Sequence, residues 1–64
     1  MNFISLTDYY YEHNLFIEPK AIMAIRNIKI DKDLVCEIRL PGITYQVKES
    51  TPRILSLIHE ATQR

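Results

Sequence analysis

The second half of the chain carries an alternating apolar run, a Pro-Gly step and a capped apolar stripe, and together they leave few folds open. Leu34, Cys36, Ile38 and Leu40 share one parity, with Val35, Glu37 and Arg39 on the other. Pro41-Gly42 is a turn signal. Beyond it Ile43, Tyr45 and Val47 alternate with Thr44, Gln46 and Lys48. A period of two on both sides of a short turn predicts an antiparallel hairpin with one buried and one wet face. Thr51 is then a suitable N-cap, and Pro52 loses nothing by lacking an N–H in the first helical turn. Ile54, Leu55, Leu57, Ile58 and Ala61 recur at helical spacing, so a helix is expected over 52–63. Glu60 and Arg64 stand four apart in the favourable order. A helix of about three turns needs tertiary docking to persist, which the sheet would provide.

The first half reads as strands with more irregular joints. Met1 to Leu6 is a short first strand, and Thr7 to Asn14 is a polar connection with turn formers at Asp8 and Asn14. Leu15-Phe16-Ile17 resumes as a strand that Pro19 ends. Ile22 to Ile30 is rich in isoleucine and strand-prone, and Asp31-Lys32-Asp33 breaks it at hairpin length. The expected fold is therefore α+β: a small antiparallel β-sheet of about four to five strands with one C-terminal helix packed on it, in a single domain over residues 1–64.

How such a domain is stabilised is constrained by what it lacks. The chain has 64 residues and one cysteine, Cys36, so no intrachain disulfide and no multi-cysteine metal cluster can hold it. A domain of this size buries only about 60% of its unfolded surface. Apolar residues at 47% are enough for a core, and a second copy of the chain is the natural further support. The segment Ile22-Met23-Ala24-Ile25 is apolar on both parities, and Phe3 against Ile4 and Leu6 shows the same excess. Either the sheet curls to bury both sides, or another chain covers one. The second reading predicts a homodimer or higher oligomer, with Phe3, Ile22, Met23 and Ile25 as interface candidates.

Eight Lys/Arg balance eight Asp/Glu, which disfavours a dedicated nucleic-acid binder. Arg26, Lys29, Arg39, Lys48 and Arg53 could gather on the wet side, but Glu37 and Glu49 interleave with them as in cross-strand charge pairing. No apolar run approaches the roughly 20 residues of a membrane span, and the N-terminus lacks a signal-peptide pattern. A cytoplasmic location with no membrane partner is the default.

Chemistry is sparse. Cys36 shares parity with apolar neighbours and reads as a small core residue. Asp8, Glu12 and His13 do not amount to a metal or general-base set without further converging groups. His59 falls on the helix flank, and Gly42 is the only glycine, so a phosphate-binding glycine loop is excluded. The expectation is a non-enzyme that takes no cofactor. The unusual stretch is Tyr9-Tyr10-Tyr11-Glu12-His13. Three tyrosines exceed what a turn requires, and tyrosine gives large contact area at small entropy cost. Tyr9, Tyr10, Tyr11 and His13 are accordingly the candidate contacts for another protein, although one or two rings could instead cap the core.

The order of features resembles the small flagellar and swarming-motility proteins of the FlbD and SwrD kind. The residues that carry the likeness are Ile4-Ser5-Leu6, Ile17 through Ile25, and Gly42-Ile43-Thr44-Tyr45-Gln46-Val47-Lys48-Glu49-Ser50 leading to Ile54 and Ile58. It spans most of the chain, but its motif is mainly alternating apolar positions and a Val-x-Glu-Ser step. Members of that family tend to carry a tight Asn-Gly-like first turn, where the long tyrosine segment stands here. The resemblance implies a small cytoplasmic adaptor without catalytic residues. A phage or mobile-element modulator of a host complex, and a weak nucleic-acid-binding regulator, are the alternative functions the sequence leaves open.

Overall fold

The computed structural model describes residues 2–63, so the Glu60–Arg64 pairing expected above lies outside the described residues. Five strands and one C-terminal helix form an α+β fold: β1 (Ile4–Thr7), β2 (Asn14–Ile17), β3 (Ala24–Ile30), β4 (Asp33–Leu40), β5 (Ile43–Val47) and α1 (Thr51–Thr62). The strands make two antiparallel sheets, the pair β1–β2 and the meander β3–β4–β5. They are joined at one corner, where Asp8 bridges Val47, the Tyr9 amide donates to Gln46 O and the Lys48 amide donates to Thr7 O.

The turns follow from local chemistry. Leu40 pairs with Ile43 across Pro41-Gly42, and Gly42 sits at φ 77°. Proline then a left-handed glycine is the requirement of a type II turn. Ile30 pairs with Asp33, so the β3–β4 turn is only Asp31-Lys32, with Asp31 in the left-handed region at φ 56°. Aspartate tolerates that region because its short side chain can bond locally.

One core joins both sheets and the helix. Ile4, Leu6 and Ile17 from the first hairpin meet Cys36, Ile38 and Val47 from the meander, under Ile54 of α1. Leu6, Ile38, Val47 and Ile54 are fully buried, each stabilising by about 1.5–3 kcal/mol relative to exposure. The two sheets therefore bury their inward parities against each other. Ile22 and Ile25 pack half-buried on this same core, so their apolarity is accounted for within the chain. Met23 and Phe3 remain exposed.

Several local expectations are corrected. The strand expected from Ile22 begins at Ala24, because Pro19–Ala21 forms a turn of 3₁₀ helix that Ile22 closes with its amide on Pro19 O. The helix cap is Ser50, not Thr51: the Ser50 hydroxyl accepts the Arg53 amide at 3.3 Å. Thr51 has another role. Its hydroxyl donates to Asn27 Oδ1 at 2.9 Å and lies 3.4 Å from Cys36 Sγ, so the thiol donates to it in turn. Leu55 faces solvent, leaving Ile54, Leu57, Ile58 and Ala61 as the packed stripe.

The parity of β4 is also only half as expected. Leu34 is 68% exposed, whereas Val35 on the supposedly wet face is 2% exposed. Leu34 pairs with Lys29, towards the Asp31-Lys32 turn, and lies outside the shared core. Val35 pairs with Ile28, which is itself half-buried, and borders the same hollow as Tyr9. On that outer face Glu37 accepts from Arg26 Nε at 2.6 Å and from Gln46 Nε2 at 2.9 Å. These partners hold the Glu37 carboxyl below the ordinary glutamate range. Arg39 shares this face through the register, while Lys29 takes the opposite parity and Arg53 projects from the helix. The cations are thus spread over several faces and partly paired.

Candidate interaction site

The tyrosine segment is a hairpin loop with a defined internal frame. Thr7 pairs with Asn14, the Asp8 amide donates to His13 O at 2.9 Å, and the Glu12 amide donates to Asp8 O at 3.0 Å. Glu12 takes φ 59°, the left-handed position that lets the chain turn back into β2. The Asp8 carboxylate then accepts the Tyr10 amide at 3.1 Å and the Tyr11 amide at 2.7 Å through the same oxygen, Oδ2. This is the local aspartate-to-backbone bonding that makes the residue a turn former.

The base of the loop is tied to the rest of the chain. Glu49 grips Thr7 as a fork, with the Thr7 amide on Oε1 at 2.8 Å and the Thr7 hydroxyl on Oε2 at 2.9 Å. Lys48 Nζ meets Glu12 Oε2 at 3.2 Å. Tyr9 reaches across to β4, where its hydroxyl donates to Asp33 Oδ2 at 2.7 Å. That bond and the negative charge of Asp33 raise the Tyr9 pKa, because losing the phenolic proton would place two negative charges together.

The four sequence-predicted contact residues therefore separate. Tyr9 is half-buried and acts as a strut. Tyr10 and Tyr11 are 57% and 74% exposed, and His13 is exposed. Tyr10 meets Tyr9 edge-to-face at 5.2 Å between centroids, and Tyr11 stacks on His13 at 5.9 Å. The rings are thus held partly by one another. Phe3, Ile22, Met23 and Ile25 are not part of this surface.

Asp8, Glu12 and His13 are turned to different tasks: loop bonding, an ion pair and ring stacking. Among the described residues no group of three His, Cys, Asp or Glu side chains converges to hold a metal. Cys36 is a buried free thiol. No helix among the described residues is long and apolar enough to cross a membrane. Asp33, Lys48 and Glu49 belong to the site although the sequence singled out none of them for it. They come from β4 and from the segment following β5, and no local spacing links them to residues 9–13. Compared with family models, with curated proteins and with solved structures, the chain matches none.

Proposed function

We propose that the chain is a small non-enzymatic protein–protein interaction module of the cytoplasm, a motility-type adaptor in the sense of its FlbD- and SwrD-like resemblance, whose partner is met by Tyr10, Tyr11 and His13. The observation that carries this reading is that Tyr10, Tyr11 and His13 stand exposed together on a loop whose backbone Asp8 fixes. A loop that serves only to reverse the chain has no need of two exposed aromatic rings, and here each ring also packs on a neighbour in the loop. Rings ordered before contact lose less entropy on binding, which is the physical basis of preorganised hot spots. The balanced charge and the scattering of cations argue for a protein partner over nucleic acid.

Self-association is part of the proposal. Phe3 and Met23 are large apolar side chains left exposed, and so is Phe16, cross-strand from Ser5 on the outer face of β2. Phe3 shares the outward parity of Ser5, so both phenylalanines stand on the outer face of the first hairpin.

The test is capture from the native host with wild-type bait and a Tyr10/Tyr11→Ala bait, both checked by circular dichroism. Tyr9 is kept because it holds the loop. A protein recovered by wild type and lost from the folded double variant is the expected result. Recovery of the same protein by both baits would remove the loop from the contact. Light scattering at high micromolar concentration checks the oligomer, and a strictly monomeric mass would sink that part.

A further inference from the structure

Beside the loop lies an open hollow of about 580 Å³ lined by Tyr9, Tyr10, Asp33, Leu34, Val35, Val47 and Lys48. Its lining combines two features that each attract a cation. Tyr9 and Tyr10 stand at 87° to each other, so two aromatic rings meet in a corner. Asp33 stands at the end of Tyr9, exposed, with only Oδ2 engaged among the described residues.

We infer that this hollow receives the guanidinium of an arginine carried by the partner protein, a step that rests on the interaction reading above and names the chemistry it recognises. The faces of aromatic rings attract cations through their quadrupole. A carboxylate at the same place supplies the counter-charge and can take a guanidinium fork. Arginine suits the site better than lysine because its planar, weakly hydrated head can stack on tyrosine while its N–H groups reach Asp33. Leu34, Val35 and Val47 give apolar surface for the side-chain stem.

The local charges agree. Lys48 lines the hollow, but its ammonium is 3.2 Å from Glu12 and so already has a counter-ion. Lys32 stands between Asp31 and Asp33 in the turn, one cation against two carboxylates. The Asp33 hydrogen bond and desolvation raise the Tyr9 pKa first, and the charges of Asp33 and Asp31 push it the same way.

The test is an NMR titration of the full chain with N-acetyl-arginine methylamide, run beside its citrulline and lysine counterparts. Citrulline keeps the shape and hydrogen-bonding edge and removes the charge. Saturable shifts at Tyr9, Tyr10, Asp33 and Val35 in the tens-of-millimolar range are expected, in the order arginine, lysine, citrulline. Asp33→Asn and Tyr10→Leu should each weaken the arginine response by about tenfold, and Tyr10→Phe should keep it. Equal responses to arginine and citrulline, or an arginine response that survives both weakening variants, would overturn the assignment. Capture that depends on Tyr10 and Tyr11 while no arginine shift occurs would remove the cation site and leave the interaction reading standing. An arginine response with tyrosine-independent capture would do the reverse.

Discussion

The β1–β2 hairpin and the β3–β4 ladder each bury three side chains, although the ladder is nearly twice as long. The β1–β2 pair has four residues in each strand, yet it places Ile4, Leu6 and Ile17 in the core. In the β3–β4 ladder the strands have seven and eight residues, but β3 contains no fully buried side chain. The short hairpin is held by burial and by the Glu49 fork on Thr7. The long ladder rests on backbone pairing, on β4's own buried residues and on polar bonds along its outer face. Apolar area removed from water, rather than the number of paired residues, sets how much a strand contributes.

The comparison breaks first at the core. Leu6→Ala should cost about 2–5 kcal/mol, enough to unfold much of the population of so small a domain. Ile28→Ala, half-buried in β3, should cost clearly less in the same urea titration. Equal losses would show that the long ladder carries as much as the short hairpin.

A smaller effect separates the polar ties. Glu49→Ala removes the acceptor of two bonds from Thr7 and should cost about 1.5–3 kcal/mol, because the amide left behind is partly buried. Arg26→Ala removes an exposed partner of Glu37 and should change the midpoint much less. A larger loss for Arg26 than for Glu49 would reverse the ranking of the two regions.

The smallest expected effect is in the pH dependence of the ladder. The folded pKa of Glu37 lies below the ordinary glutamate value of about 4.3. Its contribution is therefore fully present above that ordinary value and is lost as pH falls through the folded one. Glu37→Gln should flatten the acid side of the stability profile and leave the neutral side nearly unchanged. An unchanged acid slope would mean that Arg26 and Gln46 give the carboxylate no preference for its charged form.

Much of this arrangement was legible from local patterns. Alternation either side of Pro41-Gly42 gave the β4–β5 hairpin, and proline beside a hydroxyl residue gave the start of α1 to within one position. The one-residue error at the cap arose because Ser50 and Thr51 are both competent acceptors, and Thr51 is drawn instead to Asn27. Parity failed at Leu34 and Val35, where burial depends on where the cover ends rather than on alternation. Three adjacent tyrosines mark the loop in the sequence, but nothing local distinguishes Tyr9 from Tyr10 and Tyr11. Their difference is a bond to Asp33, 24 residues away.

By itself, the sequence determined the element types, the antiparallel pairing of the last two strands, the C-terminal helix and the absence of any intrachain disulfide. Those follow from residue periodicity, turn chemistry and one cysteine, all of which act over a few neighbouring positions or by simple count. Only the tertiary structure decided that two small sheets share one core, that Ile22 and Ile25 pack within the chain, and that Tyr9 is a strut while Tyr10 and Tyr11 are exposed. Each of these depends on which distant segments meet, and that is settled by the collective burial of side chains such as Leu6, Ile38, Val47 and Ile54 rather than by any local preference.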